Sequence, residues 1–450
     1  MPVRRLSHRI ILVLTLLFLI IICMKFTALE RYTKYGNQAL TYFNFESHEG
    51  YEYKIEPKDS GEWHIWRNHS NVIYIHRAIY DSRNFSRWQT PAVTLMVLSN
   101  TQRHSDLGTI ICSYTISNKT VSRTAKVIFP VSGFRYKLTN LQEFAIQCPV
   151  DDIYPIPTFI TVSRGVDSAI LKIERPYPGN EAITVCVPLV YGSFDAGMLI
   201  EWFEYLKFFG VSMVEIAMWE VPSSVSQIFD YYEKQGFLLV NKMEIPFKID
   251  LYEPDNERLP SSKPKFLKAF VPIALHECLT MNALRSRYIL SLDFDEFIYL
   301  NISVFPSFIE LVDSYVGNKK TSTVQVQTGK IKFDVTCGRK LSSPHFIISH
   351  KFREDFSVMT YNDNPKSFMS TSNCPFIGNH YCMWRNERFQ KHYLRVPTSH
   401  AFIAHFRKHV YCLKKVARYA MDTTLTEIEP FLVENFNKAK EKLGLLINKN

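Results

Sequence analysis

The sequence predicts an α/β protein: a doubly wound domain, preceded by a β-rich accessory domain and an N-terminal transmembrane anchor. Three observations carry this reading. An arginine-flanked apolar run opens the chain, short β-type runs fill residues 63–178, and from residue 179 apolar strands alternate with segments of helical spacing.

The apolar run Ile10–Met24 follows Arg4, Arg5 and Arg9. At ~1.5 Å per residue such a helix covers about 22 Å, short of a bilayer core of roughly 30 Å. Lys25 can snorkel and Phe26–Leu29 can extend the span. Signal-peptide cleavage wants small residues at −3 and −1, and the best candidate, after Ala28, has Phe26 at −3. The expectation is therefore an uncleaved anchor over 10–29. Residues 1–9 would be cytoplasmic, 30–62 a stem and the rest lumenal, as in a single-pass type II protein of the Golgi (or ER) membrane.

Of nine cysteines, Cys23 lies in the anchor; the other eight allow up to four disulfides with the pairing open. No CxxC pair exists, so a zinc site is not expected. Sequons stand at Asn68, Asn84, Asn118 and Asn301, and three of the four fall between residues 60 and 125, marking that region as exposed. The net charge of +10 is spread along the chain. Without a basic stripe or a reading module, no nucleic-acid partner is expected; the excess suits an anionic ligand.

Within 63–178 the β-type runs are Val72–Ile75, Val93–Leu98, Thr109–Ile116, Lys126–Val131 and Phe159–Val162. Thr184–Tyr191 is then a continuous apolar run, as a buried parallel strand should be. In Met198–Phe209, Leu199, Trp202, Phe203, Leu206 and Phe209 recur at helical spacing, and Gly210 stands where a helix would end. Val214–Met218 reads as a strand, Val225–Gln235 as a helix, and Lys265–Ser286 as helix-like with an internal Pro272. Tyr288–Leu292 is the next strand, Thr323–Phe333 holds further ones, and residues 334–412 are mixed and cysteine-rich. The α/β domain spans 179–425, and a C-terminal helix, Glu427–Leu445, lies in the remaining 426–450.

The chemistry concentrates at Asp293-Phe294-Asp295-Glu296. Asp293 and Asp295 form the chain's single Asp-x-Asp pair, at the carboxyl end of a buried strand, where α/β folds place ligands. Three carboxylates within four residues repel one another unless a cation or basic groups neutralise them. Hard oxygen ligands suit Mn²⁺ or another divalent cation, with the diphosphate of a nucleotide sugar completing the shell.

Five segments, in order, carry a family resemblance. They are VIYIHRAIYDSR (72–83), VCVPLVYGSFDAGMLIEWFEYLKFFGV (185–211) with its Glu201-Trp202 pair, YILSLDFDEFIYL (288–300), Pro365-Lys366-Ser367, and AHFR (404–407). Together they resemble glycosyltransferase family 92, which includes galactosyltransferases acting on the core fucose of N-glycans. One departure stands out: the helix before the metal strand usually carries Asn-Asp-Cys, and here reads His276-Glu277-Cys278. The resemblance implies a GT-A type nucleotide-sugar-binding fold, a divalent metal, UDP-galactose as donor and inversion at the anomeric carbon. It makes Asp295 a direct metal ligand, Asp293 a ligand of metal or ribose, and His405 an additional metal ligand. Inversion also needs a general base for the acceptor hydroxyl, and Glu354 and Asp355 are the best-placed acids downstream. Lys366, Arg353 and Arg407 are candidate phosphate contacts.

Two rivals compete with an enzyme acting on a nucleotide sugar and a glycan or glycoprotein acceptor. A dehalogenase-like phosphatase also begins at Asp-x-Asp after a strand, but wants Thr or Val where Phe297 stands. A lumenal sugar-binding or scaffold protein could keep the fold without turnover.

Overall fold

The computed structural model describes residues 55–57, 63–68, 71–83, 91–101, 107–116, 119–128, 141–150, 155–249, 265–316, 325–335, 343–355, 365–378, 380, 382, 393–407 and 419–445. The expected anchor at 10–29 lies outside them. No helix among the described residues is long and apolar enough to cross a membrane.

After β1 (Ile55–Pro57), nine strands form one sheet. They are β2 (His64–Asn68), β3 (Asn71–Asp81), β4 (Ala92–Ser99), β5 (Ile111–Ile116), β6 (Lys119–Thr124), β7 (Lys126–Ile128), β8 (Gln142–Pro149), β9 (Phe159–Arg164) and β10 (Asp167–Glu174). Their order is β6-β5-β9-β10-β3-β4-β8-β7, with β2 also paired to β3. A disulfide joins Cys112 on β5 to Cys148 on β8, two strands far apart in that order, so the sheet curls back on itself. Ile73, Val93, Phe144, Val162 and Leu171 fill the enclosed core.

The second sheet begins with β11 (Glu181–Val190), followed by α1 (Ala196–Phe208), β12 (Met213–Met218), α2 (Ser223–Lys234), β13 (Leu238–Lys242) and the short β14 (Phe247–Ile249), which pairs with β1. Asp195 caps α1, its carboxylate accepting from Met198 N at 2.7 Å. Gly210 follows the helix at φ +80°, a conformation costly for any residue with a Cβ. A 3₁₀ turn, Lys265–Ala269, leads into α3 (Phe270–Met281). Pro272 sits in the first turn of α3, where its missing N–H forfeits no helical bond. Strand β15 (Ser286–Ser291) then pairs parallel to β11.

Beyond β15 lie β16 (Glu296–Leu300), α4 (Phe308–Val316), β17 (Gln325–Thr328), β18 (Lys330–Asp334), α5 (Phe346–Ser349), β19 (Phe352–Glu354), β20 (Lys366–Ser370), β21 (Tyr393–Val396), β22 (Ala401–Arg407), β23 (Tyr419–Met421) and α6 (Glu429–Lys442). The central sheet runs β13-β12-β11-β15-β20-β17-β21; a third sheet runs β16-β22-β18-β19-β23.

The nine-stranded sheet and the α/β part share one apolar core. Trp63, Tyr74, Met96 and Leu98 pack with Phe247, Phe270, Ile273 and Phe376. Polar groups reinforce this seam: His76 Nδ1 lies 2.6 Å from Glu277 Oε1, and Arg77 Nη1 lies 3.9 Å from Glu277 Oε2. A cavity of about 20 Å³, room for about one water, is lined there by His76, Arg77, Glu215, Asn241 and Glu277. The His276-Glu277-Cys278 triplet belongs to this seam. His276 stacks on Phe376, Glu277 meets His76, and Cys278 is bonded to Cys186 of β11. A third disulfide joins Cys374 and Cys382.

Candidate functional site

Residues 292–295 carry the chain from β15 in the central sheet to β16 in the third. The turn is tight, with Glu296 N donating to Asp293 O at 3.0 Å. Its middle residue, Phe294, is buried and meets Trp202 of α1 edge-on at 4.8 Å between ring centroids. Trp202 Nε1 also donates to Glu296 O at 3.1 Å, so α1 fixes the turn from below. With Phe294 driven into the core, the flanking Asp293 and Asp295 side chains remain 38% exposed.

Glu296 behaves differently from the two aspartates. Its carboxylate is 1% exposed, with Lys366 Nζ at 3.1 Å on one oxygen and Lys330 Nζ at 2.6 Å on the other. Burial alone would raise this carboxyl, but Lys366, Lys330 and His405 outweigh it and hold it well below the usual carboxylate range. Lys366 is fully buried and also reaches Asp293 Oδ2 at 3.1 Å. Burial opposes its charge, and Asp293 and Glu296 raise its pKa nonetheless. The neutralisation that three crowded acids require thus comes largely from within the protein. Two ammonium groups offset two of the three carboxylates, leaving a net single negative charge on the cluster, whose two aspartates are half-exposed.

His405 arrives from β22, where it pairs in register with Glu296. Its Nε2 lies 3.3 Å from Asp295 Oδ2. Phe406 N donates to Asp295 O at 2.8 Å, which fixes the turn against β22. Asp295 and His405 therefore present an oxygen and an imidazole nitrogen together, a donor pair that manganese accepts. No group of three His, Cys, Asp or Glu converges among the described residues. A cation bound here would take its other ligands from water or a diphosphate, the usual arrangement where one or two protein groups meet substrate phosphates.

Register extends the site across the third sheet. Glu296 aligns with His405, and His405 with Lys332. Phe333 aligns with Arg353, so the adjacent row brings Lys332 to Glu354, at 3.6 Å. Successive side chains alternate faces, so Glu296, His405, Lys332 and Glu354 share one face. Phe297, Phe333, Phe406 and Arg353 take the other, where Arg353 Nε donates to Asp422 Oδ2 at 2.7 Å. Arg353 thus faces away from the aspartate pair. Asp355 lies just past the end of β19. Arg407 ends β22 opposite Asp334, and its side chain lies outside the described residues. Lys366, read from sequence as a phosphate contact, is committed to Asp293 and Glu296.

Sequence reasoning did not single out Glu296 or Lys330 as site residues, nor His380. Burial pushes the His380 imidazole down to about 3, helped by Lys366 and Lys330. Glu201, noted for its resemblance, is fully buried. Its carboxylate accepts from Phe346 N at 2.9 Å and Ile347 N at 3.0 Å, and Lys440 Nζ lies at 3.0 Å. It ties α1 to the segment leading to β19 and to α6.

A family model, Glycosyltransferase family 92, matches residues 181–444, more than half of the 450-residue chain. No curated protein matches. Similar solved structures include S. aureus TarS 1–349 in complex with UDP-GlcNAc, 10% identical over 59% of this chain and 71% of that one, with a TM-score of 0.27. S. aureus TarS 1–349 alone is 12% identical over the same shares, with a TM-score of 0.24. Likenesses this low carry no argument. The family match over more than half the chain does, and it agrees with the mixed α/β architecture: the chain belongs to glycosyltransferase family 92.

Proposed function

We propose that the protein is a metal-dependent, inverting glycosyltransferase. It moves a hexose, galactose from UDP-galactose, onto a glycan or glycoprotein acceptor such as a fucose of N-glycans. The setting is the lumen of the Golgi (or ER), with the chain held as a single-pass type II membrane protein. The observation that carries this reading is the pair of half-exposed aspartates at a strand end, with His405 Nε2 3.3 Å from Asp295, in a chain of this family.

Asp295 and His405 would hold Mn²⁺ or another divalent cation, with Asp293 on the metal or the ribose. Such a cation supplies Lewis-acid neutralisation of a leaving diphosphate. The chain's own residues do the rest. Lys366 and Lys330 hold Glu296, and through it the turn, in one arrangement. Glu354 is the general base: it takes the proton of the acceptor hydroxyl as that oxygen bonds the anomeric carbon and the bond from carbon to diphosphate breaks. β19 lies two strands from β22, roughly 10 Å at the usual strand spacing, with Lys332 of β18 on the same face between Glu354 and His405. Glu354 is favoured over Asp355 because it shares the face of His405. Arg407, two residues after His405, is the remaining phosphate candidate.

The test is to incubate the full-length protein in detergent with Mn²⁺, a panel of UDP-sugars and fucosylated N-glycans. Metal-dependent transfer of a hexose supports the proposal. Metal-dependent donor binding without turnover would favour a sugar-binding protein, and no binding of any donor would reject both.

A further inference from the structure

We infer that Arg83, just past strand β3 of the nine-stranded sheet, is a positioning residue for the nucleotide end of the site, acting through the loop 371–382. This rests on the proposed nucleotide-sugar reaction.

Arg83 follows β3 and is buried. Its guanidinium forks onto Asp81, with Nε to Oδ1 at 2.8 Å and Nη2 to Oδ2 at 2.6 Å. The other amino group donates to Thr371 O at 2.9 Å and Cys374 O at 2.8 Å, nearly three hundred residues away in sequence. Asp81 thus orients a cation whose remaining donors hold the start of one loop. A planar fork can do this where a lysine cannot, because both edges are engaged in fixed directions.

The loop is secured at several further points. Thr371 Oγ1 donates to Ser286 O at 2.6 Å, at the start of β15. Phe376 stacks on His276 of α3 with centroids 4.5 Å apart. The Cys374–Cys382 disulfide and the Ile377–Cys382 bridge close its far half. There His380 O accepts from Ser367 Oγ at 2.9 Å, and Ser367 adjoins Lys366, which holds Asp293. Burial lowers the pKa of the His380 ring, with Lys366 and Lys330 acting the same way and Asp293 opposing them. Its Nδ1 is buried with no hydrogen-bond partner among the described residues. A continuous set of contacts therefore runs from Arg83 through the loop to His380, Ser367 and Lys366, and so to Asp293. The family-matched region begins at residue 181, but one of its site loops is held by an arginine from the sheet before it.

Two variants of the full-length protein test this. Arg83→Lys keeps the charge and loses the fork. Cys374→Ser with Cys382→Ser opens the loop without touching the sheet, and covers the case in which the Arg83 variant does not fold. UDP affinity in Mn²⁺ is measured by calorimetry, hydrogen exchange of 371–382 by mass spectrometry, and melting temperature alongside. Each variant should raise exchange in the loop and weaken UDP binding about 10- to 100-fold, the usual effect of losing an outer-shell support. The combined variant should bind no more weakly than the weaker parent, because both act on one path. A lower melting temperature with wild-type UDP affinity would make Arg83 merely structural and overturn the inference, as would independent, additive losses. A wild-type protein that binds no UDP in Mn²⁺ overturns it together with the proposed reaction; a wild type that binds, with variants that bind equally well, overturns it alone.

Discussion

Asp295 and Glu296 adjoin in sequence, yet their amide variants should fail in opposite ways. The Asp295 side chain is 38% exposed and Glu296 is 1% exposed. Asp295→Asn is nearly isosteric at a half-exposed site, so its stability cost should stay within about 0.5 kcal/mol. On the proposed mechanism it removes a metal ligand, and with it transition-state stabilisation of several kcal/mol. About 4 kcal/mol corresponds to roughly a thousandfold in rate. Glu296→Gln instead leaves Lys330, 11% exposed and 2.6 Å from the lost charge, without its counter-ion. Breaking a buried pair from one side costs about 3–5 kcal/mol. Urea unfolding reads the stability of each variant, and turnover of UDP-hexose in Mn²⁺ reads the site. Stabilisation by Mn²⁺ and UDP, which depends on binding to the folded state, should vanish in Asp295→Asn. If Asp295→Asn instead loses as much stability as Glu296→Gln and still turns over at near wild-type rate, the metal assignment is wrong.

Glu354→Gln should lower transfer by about 10²–10⁴-fold with UDP affinity unchanged, while Asp355→Asn stays within severalfold of wild type; the reverse ranking would move the base to Asp355. Burial pushes the Glu215 carboxyl from 4.5 up to about 7, despite Asn282, Arg285, Arg77 and Asn241. A group raised in the folded state contributes its full stability below its unfolded pKa and loses it as pH rises through the folded value, about 3 kcal/mol in all. Urea unfolding from pH 5 to 8 should therefore show stability falling with pH from this source, and Glu215→Gln should flatten the slope; equal slopes would contradict the assignment. Three disulfides among the described residues occupy six of the nine cysteines, so thiol titration of the denatured, non-reduced protein should find three free thiols or fewer.

Local pattern was a good guide wherever one element buries its own face. The apolar run Thr184–Tyr191 became β11 (Glu181–Val190), and the helical spacing of Met198–Phe209 became α1 (Ala196–Phe208). The aspartates do stand at the end of a buried strand. Pairing over long separations was not legible. Nothing near Glu296 announces that Lys330 and Lys366 neutralise it, because those lysines come from strands 34 and 70 residues downstream. Arg353 and Lys366 read as phosphate contacts because a cation that suits a phosphate suits a carboxylate equally well. Only the alternation of faces in β19 turns Arg353 toward Asp422. His276 and Glu277 stood out in sequence only as a departure from the resemblance, and tertiary packing gives them Phe376 and His76 as partners.

The shared core of Trp63, Tyr74, Met96, Phe247, Phe270 and Phe376 bears on how the molecule unfolds. Each of these side chains hides from water only while strands before residue 100 and elements after residue 245 are both in place. Neither part can then melt alone without wetting the other's aromatic surface. A calorimeter should record a single heat-absorption peak for residues 55–445 rather than two, with matching van't Hoff and calorimetric enthalpies. A protein cut at residue 180, just ahead of the family-matched region, would bare an aromatic patch of the kind that drives aggregation.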